Sequence, residues 1–333
     1  MNIGFHYYVT KTVAVRAGFS PREAQLIAYA CQYVDDAQEH VKMRVLGMPE
    51  PTYERMGRNW FDPTCTSHKG IGNILYNFSN IRKKILLPFH FIPEGWDEER
   101  KNFRYLTVEQ APFAIEMVKR GLEKLRTAEN MRKGKLKGLI RLGIALHSYE
   151  DSFAHQGFSA RNSRKDNGVS NPIILYNDRI QNMSLLVKLQ GFLGYSIGHG
   201  LLYTYPDRFN TRISYVNGRK KLIYVNTEER FLRAARGVYD LLRGYTGVAD
   251  EWELTEEPLK RCLQWDWKKR SEWSRAFRKE FAGMNYQYSP ATWKNQAIRD
   301  EGDGVYRFIG DRKWFYFHEG AYGQRVAAGE LLG

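Results

Sequence analysis

The stretch Leu146-His147-Ser148-Tyr149-Glu150-Asp151-Ser152-Phe153-Ala154-His155 limits the folds open to this chain more than any other. His147, Asp151 and His155 stand at i, i+4 and i+8. On an α-helix each four-residue step drifts by only about 40°, so the three side chains share one sector of the surface. The helix that carries them is predicted over Lys135 to Gln156. Leu136, Leu139, Ile140, Leu142, Ile144 and Leu146 point to nearly every side of it, and a helix apolar all round is buried. A buried carboxylate between two imidazoles needs partners, because an unpaired charge in the interior is costly. Metal coordination satisfies all three groups. Successive members lie about 6 Å apart along the axis and the outer pair about 12 Å, whereas zinc–ligand bonds are about 2.0–2.2 Å. If all three are ligands, at least two ions lie along the helix, and Asp151 can bridge them. A lone i, i+4 His/Asp pair is an ordinary helix-surface contact; the third member and the buried setting set this one apart.

Other residues complete a ligand shell. His6 lies in Gly4-Phe5-His6-Tyr7-Tyr8, Asp35 and Asp36 end a helix whose other face is apolar, His68 sits in Thr66-Ser67-His68-Lys69-Gly70, and His199 lies between Gly198 and Gly200. His90, flanked by Phe89 and Phe91, reads as an outer hydrogen-bonding or substrate-contacting residue. His40 and His318 read as surface or structural residues.

Helix signals dominate the first two thirds. Ser20-Pro21-Arg22-Glu23 is a capping box with proline at the first helical position, opening a helix to about His40. Thr107-Val108-Glu109-Gln110 is a second capping box, opening a helix that carries Phe113 to Leu125. A further helix is expected over Ser184 to Tyr203. Between Met48 and Trp96, Pro49, Pro51, Pro63, Pro88 and Pro93 point to long ordered loops with short helices. Ile213 to Val225 reads as a β-hairpin about Asn217-Gly218, followed by helices over Thr227 to Arg243 and Leu259 to Phe281. Trp314 to Phe317 suits a short strand. The expected organisation is a helical metal-binding domain over 1–210 and a C-terminal extension over 211–333, packed as one unit.

The net charge of +14, from 51 basic and 37 acidic residues, favours polyanionic partners, although the charges are spread along the chain. The three cysteines form no C-x-x-C pair, which excludes a thiolate knuckle and suits a reducing compartment. Met1 to Arg16 has no signal-peptide pattern, and no run of 18 apolar residues is present. A cytoplasmic protein without a transmembrane segment is expected.

The order His6, Asp35, His68, His147, Asp151, His155, His199 resembles the zinc-dependent phospholipase C and single-strand-specific nuclease superfamily, over about residues 1–210. Phe5 to Tyr8, Gln32 to Asp36 and His147 to Phe158 also look like an uncharacterised bacterial family with this arrangement. The resemblance implies a mainly α, multi-helix bundle with long loops, and two or three zinc ions, other divalent metals being alternatives. It implies one ion on Asp35, His68, His147 and Asp151, a second on His6 and Asp151 with help from the chain start, and a third on His155 and His199. The superfamily's last His-x-x-x-Glu would place a carboxylate at position 203, which is Tyr203 here; Asp207 is the substitute from the following loop.

The expected function is a metal-dependent hydrolase of phosphoesters or phosphodiesters. Asp35 and Asp151 are its catalytic carboxylates, Asp36 a supporting one, and Lys69 or a loop arginine steadies phosphoryl charge. An HD-type phosphohydrolase requires an adjacent His-Asp doublet, which is absent. The alternative is a non-catalytic, metal-stabilised scaffold that binds nucleic acid or a protein. It would use Arg261, Lys268, Lys269, Arg270, Arg275, Arg278 and Lys279 interleaved with Trp265, Trp267, Trp273 and Phe277. Against it stands an amphipathic helix whose tryptophans pack on the core.

Overall fold

Among the described residues every short strand finds its partners in one of three sheets beside the helices, so the fold is mixed α/β with a helical majority. That corrects the mainly α bundle expected from sequence. The computed structural model describes residues 1–38, 43–47, 60–61, 66–67, 82–128, 132–181, 197–265 and 269–309. His40, His68, Lys69, His318 and the Trp314–Phe317 segment lie outside them, as does most of the helix expected over 184–203.

The helices are α1 (Thr10–Arg16), α2 (Pro21–Asp36), α3 (Pro112–Thr127), α4 (Arg132–Ala154), the single turn α5 (Arg164–Asn167), α6 (Thr227–Thr246), α7 (Glu253–Leu263), α8 (Arg270–Glu280) and α9 (Pro290–Ala297). A π-helical turn, Gly4–Val9, runs directly into α1, and another covers Arg82–His90. The strands are β1 (Met43–Leu46), β2 (Trp60–Phe61), β3 (Pro93–Asp97), β4 (Asn102–Thr107), β5 (Val169–Tyr176), β6 (Arg179–Ile180), β7 (Thr211–Asn217), β8 (Leu222–Asn226), β9 (Ile298–Gly302) and β10 (Val305–Phe308). One sheet has the order β2-β1-β10-β9, with β1 parallel to β10. β3 and β4 form a hairpin, and β6-β5-β7-β8 form an antiparallel sheet.

Why the helices form is largely local. Ser20 caps α2 as read, with both arms of the capping box present. The second capping box does not form. Thr107 ends β4 instead, exchanging backbone hydrogen bonds with Gly157 and Phe158. α3 then opens on Pro112 without a side-chain cap, as proline's preset φ allows. The Asn217-Gly218 hairpin is present as β7 and β8. Its turn is longer than two residues: Asn217 Oδ1 accepts from the backbone N–H of Arg219 and Lys221. The helix expected over 259–281 is two, α7 and α8.

Residues on either side of position 210 share a sheet, since β7 lies between β5 and β8. α6 also packs on α4, with Phe231, Ala234, Val238 and Leu242 buried in the same core as Leu142, Leu146, Tyr149 and Phe153. A second core lies under the inner face of the β5–β8 sheet, where Ile174, Ile213, Tyr215 and Val225 meet Phe91, Phe158 and Leu202.

The last described segment closes over the first. Lys11 is buried and gives its ammonium to Gln25 Oε1 and the Asn285 carbonyl, 5.3 Å from the Tyr286 ring centroid. Burial lowers its pKa to about 8. Tyr7 donates to the Gln287 carbonyl and Tyr286 pairs with Thr12.

α2 and α4 cross closely because Gly143 has no side chain. A Cβ there would lie 2.2 Å from the Ile27 carbonyl oxygen and 2.7 Å from Ala30 Cβ. Gly143→Ala is therefore expected to destabilise the fold by about 1–3 kcal/mol through overpacking, measured by urea unfolding. Gly244→Ala on α6, where nothing lies within 4 Å, should be stabilising by roughly 0.5–1 kcal/mol.

Candidate metal centre

The π-helical turn at the N-terminus and the crossing of α2 with α4 converge on the Asp151 carboxylate. From α4 come His147, Asp151 and His155 on one sector, as their spacing requires, all of them buried. α2 brings Asp35. The π-helical turn aims His6 at the same point, with Phe5 and His6 N–H both donating to the Asn2 carbonyl. The turn over Arg82–His90 delivers His90, and Ser148 on α4 anchors it through the Phe89 carbonyl at 2.7 Å.

Asp151 Oδ1 lies 3.2 Å from His6 Nε2 and is in contact with the Met1 α-ammonium. Asp151 Oδ2 lies 3.0 Å from His90 Nδ1, 3.3 Å from His147 Nε2 and 3.8 Å from His155 Nδ1. His147 Nε2 and His90 Nδ1 are 3.3 Å apart. Asp35 stands 4.0 Å from both His6 Nε2 and His147 Nε2. Asp207, in the turn Tyr205–Asp207, lies 3.5 Å from His155 Nε2, 3.4 Å from His199 Nε2 and 3.3 Å from the Met1 ammonium.

In three triads the ligand atoms all lie within 4.8 Å of one another: His6, Cys31 and His147; Asp35, His90 and His147; and His155, His199 and Asp207. The nearest separations, 3.0–3.5 Å, match the roughly 3.4 Å edge of a tetrahedron with 2.0–2.1 Å bonds. The buried His and Asp groups are thus geometrically able to hold metal ions.

Hydrogen bonding supports that fit. Each imidazole commits one ring nitrogen to an outer oxygen: His147 Nδ1 to the Cys31 carbonyl (3.0 Å), His90 Nε2 to the Thr66 carbonyl (2.7 Å), His155 Nδ1 to the His90 carbonyl (2.5 Å), His199 Nδ1 to the Tyr203 carbonyl (2.9 Å) and His6 Nδ1 to Glu150 Oε2 (2.7 Å). A carbonyl only accepts, so those nitrogens carry the N–H. For four of the five rings the other nitrogen then turns a lone pair inward, toward carboxylate oxygens, unless a proton or a metal ion lies between. His6 Nε2 and Asp207 Oδ1 are buried and make no hydrogen bond.

Protons alone would meet this charge balance unevenly. Burial and then the Met1 charge act against protonation of His6, but Asp151 and Glu150 outweigh them and raise its pKa to about 9. Burial, and then the charge on His6, hold His147 down at about 3. Burial likewise lowers His199 to about 4. Burial opposes ionisation of Asp151, yet the surrounding cations hold it well below the usual carboxylate range.

Of the residues read from sequence, His6, Asp35, His147, Asp151, His155, His199 and Asp207 come together here. His90 belongs among them rather than in an outer role, with its Nδ1 turned to Asp151. Asp36 does not: its carboxylate accepts from Gln32 and from the Tyr288 hydroxyl at 2.7 Å. His199 is not on an α-helix at this point. Gly198 at φ +55° and Tyr203 at φ +59° bracket a 3₁₀ turn, and a Cβ on Gly198 would lie 2.2 Å from the Phe91 ring. Glu150 was not singled out in the sequence, whereas the chain start was, as a helper of the second ion. Glu150 stands among polar neighbours, Ser148, Tyr149, Asp151 and Ser152, and nothing local marks it as fully buried against His6; the chain start meets Asp151 and Asp207 through the Met1 ammonium.

Of the aromatic residues interleaved with the C-terminal basic ones, Trp273 and Phe277 point inward. They are buried against Tyr8, Arg261 pairs with Glu280, and Arg270 covers the Tyr288 ring. These rings are closed to nucleobases. Trp265 is exposed, while Trp267 and Lys268 lie outside the described residues. Among the described residues no helix is long and apolar enough to cross a membrane.

Fold and site together define a mixed helix-and-sheet protein with a buried His/Asp cluster suited to metal ions. The chain belongs to a family of unknown function, DUF6765, which matches residues 1–329. No curated protein and no solved structure matches it.

His90→Ala should lower the metal bound per chain, measured by elemental analysis after dialysis, whereas Asp36→Asn should leave it unchanged. Adding zinc at 100 times its Kd to metal-stripped protein should raise stability by about 2.7 kcal/mol for each site filled, read as a rise in Tm that a chelator reverses.

Proposed function

We propose that this protein is a zinc-dependent hydrolase of phosphoesters or phosphodiesters. The observation that carries the reading is that Asp151 presents one oxygen to each of two ligand sets. Oδ1 faces His6, and Oδ2 faces His90 and His147 with Asp35 behind them. A carboxylate shared in this way suits two neighbouring ions, and nitrogen and carboxylate donors at tetrahedral spacing suit zinc. His155, His199 and Asp207 would hold a further ion. Such a pair, when bound, acidifies water and neutralises charge on a phosphoryl group.

The chain's own residues supply the rest. Asp35 and Asp151 fix the ligand geometry, and Asp35, standing 4.0 Å from two imidazoles, is placed to orient a nucleophilic water. Carbonyls of Cys31, Thr66, His90 and Tyr203 lock the ring orientations, so little reorganisation accompanies reaction. The +14 net charge draws phosphorylated substrates toward the protein. The ligand order also resembles the zinc phospholipase C and single-strand nuclease superfamily, with Asp207 in place of its last carboxylate.

The test is hydrolysis of bis(p-nitrophenyl) phosphate by zinc-loaded protein. Turnover should vanish in EDTA, return with zinc, and fall at least about 10²-fold in Asp151→Asn. Full hydrolysis in EDTA, or purified protein that binds no metal, would end this reading.

A further inference from the structure

Among the described residues, four of the five imidazoles in the cluster are oriented by backbone carbonyls, and His6 is oriented by a carboxylate. Glu150 accepts the His6 Nδ1 hydrogen bond at 2.7 Å with both side chains fully buried. Two further donors hold it. The Thr10 hydroxyl reaches Oε1 at 2.8 Å, and the Cys31 thiol reaches Oε2 at 3.2 Å. Glu150 precedes Asp151 on α4, yet the two carboxylates face different sides of His6: Glu150 meets Nδ1 and Asp151 meets Nε2.

A carbonyl fixes only a ring's tautomer and direction. An ionised carboxylate also draws the Nδ1 proton toward itself and raises the basicity of the opposite nitrogen, which strengthens that nitrogen as a metal donor. Burial works against the charge on Glu150 and raises its pKa, and the three converging donors offset part of that cost. Cys31 takes part twice, since its thiol steadies Glu150 and its carbonyl receives the His147 N–H. One turn of α2 thereby orients the two rings that stack at 4.1 Å on the inner side of the cluster.

We propose that Glu150 is a positioning residue that tightens the hold of His6 Nε2 on its ion, making the His6–Asp151 locus the least exchangeable of the cluster. This rests on the metal-centre reading above. The His155–His199–Asp207 locus, whose rings are backed by the His90 and Tyr203 carbonyls and whose Asp207 is 19% exposed, gives up its ion first.

The experiment is competition between a chromophoric zinc chelator and the full-length protein, wild type against Glu150→Gln. Glutamine keeps the shape and an acceptor for His6 Nδ1 but removes the charge. Wild type should release zinc in separable steps. Glu150→Gln should lower the affinity of the tightest step about 10- to 100-fold, leave the weakest step unchanged, and keep the Tm of the metal-free protein near wild type. With cobalt in place of zinc, the d–d absorption of the tight step should shift. Thr10→Val should weaken the same step by less, and Thr10→Ser should restore it; these two variants carry the test if Glu150→Gln does not fold. Unchanged affinities would overturn the proposal, as would an equal loss at every step together with a lower metal-free Tm. A wild-type protein that binds no zinc would overturn the metal centre itself, a result distinct from either.

Discussion

The Asp151 carboxylate is buried on a helix with no neighbouring lysine or arginine among its described contacts, and the arrangement around it follows from that. Its charge is met by imidazoles from α4, from the N-terminal π-helical turn and from the turn ending at His90, and by the Met1 ammonium. Each of these groups is itself costly to bury. The cluster is therefore stable only as a whole, with an outer layer of acceptors and an inner supply of positive charge. Metal ions, where bound, would supply that charge without forcing every ring to take a proton.

The scaffold is arranged to hold this polar centre in an apolar setting. The close crossing of α2 and α4 at Gly143 puts the Cys31 carbonyl within reach of His147 and Asp35 near the same ring. The second core, under the β5–β8 sheet, supports the outer locus: Phe91 stacks on His155 at 4.4 Å and Phe158 lies edge-on to His199. The two cores thus serve opposite ends of one row of candidate ligands along α4.

How much of this was legible depends on distance along the chain. The spacing of His147, Asp151 and His155 on a helix apolar all round is a local pattern, and it identified the centre. The Ser20 cap and the β7–β8 hairpin are local signals too. His90 was read as peripheral because its apolar neighbours, Phe89 and Phe91, look like core. Its placement depends on a π-helical turn containing Pro88, which sequence periodicity does not announce. Asp35 and Asp36 are adjacent, and only the packed α2 separates their roles. The β1–β10 pairing is hidden for the same physical reason: β1 has four residues and pairs with β10 more than 250 positions away, so no alternation long enough to read is present in either.

The buried Lys11 ammonium has a consequence for biosynthesis. Its acceptors include the Asn285 carbonyl, so the first helix cannot acquire its outer wall until some 270 further residues have left the ribosome. At about 5–20 residues per second that is an interval on the order of tens of seconds. During it the nascent N-terminal segment carries an uncovered row of aromatic residues, Tyr7, Tyr8 and Tyr29, whose eventual neighbours Trp273, Phe277, Tyr286 and Tyr288 are still being translated. A chaperone binding that row would act during synthesis rather than after it.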